Sequence, residues 1–279
     1  MFSPELRSAI EEKTGTIGDV SILSGGDIHQ AYVFTASSSR WVAKVAKSHL
    51  KIESLKAELH GLKILSKTST FHIPEILGLF QLENETALVM RFVESTAPAP
   101  DFWEDFANKL AALHSHSQSE FGLDRDNFIG ALPQYNYSAQ TALDFYINSR
   151  LEPQFKMASK AGYTFNTDPL YKKLDDIIPD QRPALIHGDL WNGNYLSGSK
   201  GPVLIDPAVC YGIAEMDLGM MSLFGGFGNS VFDVYSEIQG LSNWQERIEL
   251  WQLYYLLVHL NLFGSSYYSS VKNTVIKYS

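Results

Sequence analysis

Three oxygen-bearing side chains stand at spacings that suit phosphoryl transfer: Asp189, Asn194 five residues later, and Asp206 twelve residues beyond that. Asp189 follows the apolar run Leu185-Ile186 and His187-Gly188, and Asp206 closes Val203-Leu204-Ile205, so each carboxylate is delivered to the end of a strand-like segment. A carboxylate so placed can orient an attacking hydroxyl and receive its proton, while an asparagine and a second aspartate offer the hard oxygens that magnesium prefers. Any one of the three alone would be ordinary turn or capping chemistry. His187, two residues before Asp189, suits a hydrogen-bonding role that holds the loop.

Such chemistry needs a nucleotide site, and the preceding residues have the pattern of one. Pro4 to Thr14 has the spacing of a short amphipathic helix, and the runs Val20 to Leu23, Ala31 to Thr35 and Trp41 to Val45 read as antiparallel strands divided by turns. In the turn Ser24-Gly25-Gly26-Asp27, Gly25 and Gly26 could let backbone amides approach a phosphate. Lys44 lies inside the third strand and Glu58 on the helix that follows, the arrangement that positions the phosphates of ATP. Leu77 to Phe80 and Ala87 to Met90 complete a small sheet. Glu94 to Pro100, small residues with two prolines, reads as a linker. The pattern therefore predicts an α+β chain of two lobes: residues 1–93 as a β-rich nucleotide-binding lobe, and residues 94–279 as a helical lobe with the catalytic loop and acceptor site. The backbone of Met90, Phe92 and Val93 at their junction is placed to meet an adenine edge.

Beyond the linker, Phe102 to His114, Thr141 to Met157 and Leu170 to Ile178 have helical period, as do Glu215 to Met220, Val231 to Ile238 and Trp244 to Phe263. The aromatic density of the last two suits core packing. Asp126 to Gln134 reads as a long irregular loop rich in polar side chains, a frequent place for function. His114 and His116 lack companions at metal-ligand spacing and read as helix-end residues. The net charge of -9 argues against nucleic acid as a partner but not against a small anion held by local cations and a metal. A lone cysteine, Cys210, excludes an internal disulfide and suggests a reducing compartment. The N-terminus lacks the pattern of a signal peptide, and no apolar stretch has the length of a membrane span, so a cytoplasmic protein is expected. Nothing in the sequence sets its oligomeric state.

The stretch His187-Gly188-Asp189-Leu190-Trp191-Asn192-Gly193-Asn194, with Leu204-Ile205-Asp206-Pro207-Ala208, resembles the fructosamine kinase family, which has an aminoglycoside-phosphotransferase-like, protein-kinase-like fold. The likeness extends over nearly the whole chain, through Phe121-Gly122, Asp126-Asn127-Phe128-Ile129-Gly130, Glu215 with Asp217-Leu218, and Leu223-Phe224-Gly225-Gly226-Phe227. It implies ATP- and Mg2+-dependent phosphorylation of a sugar hydroxyl on a ketosamine, a fructosamine or ribulosamine on a small amine or a protein, in deglycation repair. Carried over, Asp189 is the base, Asn194 and Asp206 hold Mg2+, and Lys44 and Glu58 position the nucleotide. Asp126, Asn127, Gln134 and Trp191 are expected on the acceptor side, and Asp217 is expected to serve the acceptor or the loop. The glycine turn lacks the cysteine of some eukaryotic relatives, so redox-controlled dimerisation through it is not expected. The alternatives are a kinase for another hydroxylated amine, of choline or aminoglycoside type, and a nucleotide-binding pseudokinase.

Overall fold

A computed structural model of the chain describes residues 2–23 and 29–279, so the turn with Gly25 and Gly26 lies outside the described residues. Five antiparallel strands, β1 (Ile17–Leu23), β2 (Gln30–Ala36), β3 (Ser39–Ala46), β4 (Ile76–Gln81) and β5 (Thr86–Arg91), form one sheet in the order β1-β2-β3-β5-β4. Side chains alternate across a strand. On β3, Trp41, Ala43 and Val45 therefore pack with Leu6 and Ile10 of helix α1 (Pro4–Thr14). Val42 and Ala46 face the other way, onto Leu55 and Leu62 of α2 (His49–Thr68). Lys44 shares this second face, which aims its ammonium at α2. Helix α1 starts where Ser3 accepts a hydrogen bond from the Leu6 amide (3.0 Å) and Pro4 supplies a preset φ.

Residues 94–100 are exposed and extended, tied to the rest by the Thr96 amide, which donates to Ser197 O (2.7 Å). Helix α3 (Phe102–Ser115) follows, and then the segment expected to be an irregular loop. Its centre is instead a small hairpin, β6 (Asn127–Ile129) with β7 (Leu132–Gln134). The single helix expected from Thr141 to Met157 is also divided, into α4 (Ala142–Phe145), a π-helix (Tyr146–Leu151) and α5 (Glu152–Lys160). Pro153 accounts for the division. It has no N–H for the carbonyl of Ser149, and the Arg150 guanidinium donates to that oxygen instead (3.0 Å).

Helix α6 (Asp168–Ile177) leads to four short strands: β8 (Ala184–Ile186), β9 (Tyr195–Gly198), β10 (Gly201–Leu204) and β11 (Cys210–Gly212). The chain ends in α7 (Ala214–Phe224), α8 (Ser230–Gln239), α9 (Trp244–Phe263) and α10 (Tyr268–Lys277). Helix α9 is buried along most of its length, and Glu215 of α7 fastens to it by accepting from Arg247 (3.0 and 2.5 Å) and from the Trp251 indole (2.7 Å). Among the described residues, no helix is long and apolar enough to cross a membrane. Leu62 is fully buried between α2 and the sheet, so Leu62→Ala should cost about 2–5 kcal/mol, read as a lower urea midpoint.

Candidate active site

Two strand pairs bring Asp189, Asn194 and Asp206 together. Antiparallel pairing of β9 with β10 sets Asn194 opposite Ile205, whose amide donates to Asn194 O (3.0 Å), so Asp206 emerges beside the asparagine. Pairing of β8 with β11 lays His187 to Asp189 against the segment after Asp206, where the Ala208 amide donates to His187 O (2.9 Å). The contact is closest at Gly188, which has φ 81° and would place a Cβ 2.2 Å from Ala208 O, so only glycine fits there. Asp206 itself adopts φ 54°, a conformation that aspartate tolerates better than most residues.

The loop is held from beneath by a buried charge. Asp217 has no exposed surface, and its carboxylate accepts from the amides of His187 (2.8 Å) and Gly188 (2.9 Å) and from His114 Nε2 (3.2 Å). His114 Nδ1 lies 2.6 Å from the Tyr235 hydroxyl. Burial alone would raise the Asp217 carboxyl, but these donors and the nearby histidines outweigh it and hold the group below the usual carboxylate range. His187 donates from Nε2 to Ile205 O (3.0 Å) and accepts the Asp189 amide at Nδ1 (3.3 Å). Burial depresses its pKa, which favours the neutral ring that this pairing needs. The Tyr255 hydroxyl completes the support by donating to Gly188 O (3.1 Å).

Electrostatics separates the two site carboxylates. Burial, with the neighbouring Asp206 charge adding to it, pushes Asp189 up to about 7. Asp206 is also raised by burial, but the Lys44 ammonium in contact with it more than offsets this and leaves the carboxyl below its ordinary value. Lys44 also donates to Glu58 (2.7 Å), and the two carboxylates keep its charge despite burial. Burial keeps Glu58 above the ordinary carboxyl range, and Lys44 opposes this only in part. The amide nitrogen of Asn194 faces Asp189 O (2.8 Å), Asp189 Oδ2 (3.2 Å) and Asp206 O (3.4 Å), so its oxygen is the atom left for a cation. An ionised Asp206, with 41% of its side chain exposed, and an amide oxygen fit Mg2+, which takes one or two protein oxygens and completes its shell with water and phosphate. No group of three His, Cys, Asp or Glu side chains among the described residues makes an all-protein metal cage.

The residues expected on the acceptor side occupy different settings. Asn127 and Gln134 are buried, and their amide nitrogens donate to Val209 O (2.8 Å) and Ala208 O (3.0 Å). These bonds brace the loop after Asp206. Asp217 serves the loop, one of the two roles expected of it, through the bonds given above. Asp126 accepts the Asn136 amide (2.8 Å) and closes the β6–β7 hairpin. Trp191, 38% exposed, remains at the surface beside Asp189. Of the backbone expected to meet adenine, Met90 and Phe92 turn to β3, where the Phe92 amide donates to Arg40 O (3.0 Å) and Met90 pairs with Val42. By strand alternation the peptide groups of Arg91 and Val93 face away from β3, and the Arg91 amide donates to Glu75 O (2.8 Å). Sequence reading missed His114, Tyr235 and Tyr255. A signal existed in tyrosines placed on the apolar faces of helices, because a buried hydroxyl has to find a partner.

The raised Asp189 carboxyl means that folding favours its protonated form. That contribution is fully present below the ordinary value of 3.8 and is lost as pH rises through about 7. Asp189→Asn should therefore melt above the wild-type protein at pH 8, with the gain shrinking as pH falls towards 4, in thermal unfolding without ligand.

Residues 4–278 match the family model for fructosamine kinase. The Probable ketoamine kinase of Enterococcus faecium is 35% identical over 263 residues, covering 91% of this chain and 93% of that protein. A crystal structure of a candidate fructosamine-3-kinase from Thermobifida fusca superposes with a TM-score of 0.86 at 30% identity, covering 99% of each chain. A thermostable aminoglycoside phosphotransferase shares the kinase-like fold at 16% identity, with a TM-score of 0.62 over 97% of this chain and 98% of that one. The two-lobed α+β architecture and the match along nearly its full length place this chain in the fructosamine kinase family.

Proposed function

We propose that this chain transfers the γ-phosphoryl group of ATP to a sugar hydroxyl of a ketosamine, a fructosamine or ribulosamine, in repair of glycated amines. The observation that carries the reading is the position of Lys44, whose ammonium contacts Glu58 of α2 and Asp206 after β10 at once. That joins the nucleotide side, residues 1–93, to the catalytic loop in residues 94–279. Membership of the fructosamine kinase family and similarity to a ketoamine kinase support the acceptor class.

In this reading the C=O of Arg91 and the N–H of Val93 pair with the adenine edge. Lys44, held by Glu58, meets the α- and β-phosphates, and Asn194 and Asp206 hold Mg2+. When bound, the ion neutralises charge on the phosphoryl oxygens. Asp189 holds the acceptor hydroxyl in line and takes its proton at a carboxylate oxygen, with the Asn194 amide fixing the carboxylate's orientation. Trp191 borders the acceptor. A cytoplasmic setting fits the free, buried Cys210.

The test offers fructose-lysine, ribulose-lysine, choline and an aminoglycoside to purified protein with ATP and Mg2+. Turnover of the ketoamines is expected, whereas turnover of choline or the aminoglycoside alone would remove the ketosamine assignment. Asp189→Ala should lower kcat by about 10²–10⁴-fold, and activity unchanged in that variant would mean another group is the base. Asn194→Ala should raise the Mg2+ concentration needed for half-maximal rate.

A further inference from the structure

We infer that Gly61 is a positioning residue for phosphoryl transfer, the point where α2 is set against the catalytic lobe so that Glu58 reaches Lys44. The inference rests on the kinase reading above. A glycine inside a helix is unfavourable, because it loses more backbone freedom than alanine and contributes no side chain. Gly61 nevertheless lies in the middle of the 20-residue α2. A Cβ built on it would stand 3.1 Å from Pro207 Cγ and 3.3 and 3.6 Å from the two methyl carbons of Val209. Pro207 directly follows Asp206. Residues three apart share a helix face, so the face that packs on the Asp206–Val209 segment also carries Glu58.

A second contact comes from the neighbouring residue. His60 Nε2 lies 2.9 Å from Asp124 Oδ1, and Arg125 also pairs with Asp124 (3.1 Å). Helix α2 is thus seated on the helical lobe by a polar contact at His60 and by close approach at Gly61. The short distance lets Glu58, Lys44 and Asp206 meet in one cluster. A methyl group at position 61 needs a few tenths of an ångström of room, and with Pro207 and Val209 packed against it we take that room to come from outward movement of α2, which carries Glu58 away from Asp206.

Gly61→Ala, Val209→Ala and the double variant test this, by kinetics with ATP and a ketoamine, calorimetric ATP binding with Mg2+, and thermal melting. Alanine favours helix, so a Gly61 of no positional importance would give G61A equal or higher stability and full activity. The expected result is a folded G61A whose kcat/KM for ATP falls several-fold, with weaker ATP binding, while KM for the ketoamine stays constant. A larger loss, of about 10²-fold, is expected for Gly61→Val. Val209→Ala alone should lower the melting temperature, because Val209 is buried, with little change in KM for ATP, and it should restore part of the G61A loss in the double variant, because it removes two of the three carbons that the new Cβ meets. Wild-type kinetics in G61A, no restoration by V209A, or a loss explained entirely by a smaller folded fraction would each overturn the inference. Absence of kinase activity in the wild-type chain would instead strike the proposed function, and ATP affinity would still read the position of α2.

Discussion

A buried carboxylate with no lysine or arginine beside it among the described residues governs the architecture around the loop of His187 to Asn194. Asp217 is removed from water completely, and an isolated carboxylate in that position would be strongly unfavourable. The chain meets this constraint with two consecutive backbone amides and a buried histidine. Satisfying the charge and fixing the backbone of His187 and Gly188 are therefore the same act. The polar groups around them follow the same logic, because each one inside needs a partner: Tyr235 for His114, Tyr255 for the Gly188 carbonyl, Ile205 for the His187 ring. The carboxylate of Asp189 stands at the upper end of this lattice with only one side-chain donor, Asn194, and stays poised between protonation states near neutrality. Perturbed carboxyls of this kind are common where proteins do chemistry.

Much of the fold was legible because its elements follow the rules of local periodicity. The strands around Lys44, the helix with Glu58, the linker at Glu94 to Pro100 and the long helix from Trp244 all stand where apolar spacing and turn residues put them. Two departures have separate causes. The division of the expected helix between Thr141 and Met157 depends on what happens to one carbonyl, Ser149 O, once Pro153 denies it a helical donor. The hairpin within Asp126 to Gln134 depends on partners far along the chain, since Asn127 and Gln134 earn their burial by donating to carbonyls at Val209 and Ala208.

The same distinction applies to the site. Asp189, Asn194 and Asp206 could be read from spacing because two short strand pairs bring them together within about twenty residues of chain. Which polar residues near them face outward could not, because an asparagine that braces a loop and one that meets a ligand have the same sequence signature. Burial decides between the two, and burial is a property of the assembled fold. Sequence therefore reads the side chains that converge better than it reads their supports.

The cluster around Lys44 also bears on the order in which the protein is made. The sheet is closed by contacts among residues 17–91, all of which leave the ribosome before Asp206, and α1 needs only that sheet to cover its apolar stripe. The Lys44–Asp206 contact spans 162 residues. A nascent chain can thus complete its first lobe while the partner for its central lysine has yet to be synthesised. During that interval the ammonium has Glu58 as its counter-charge, so the sheet and α2 are electrostatically provisioned before the segment that carries Asp206 exists.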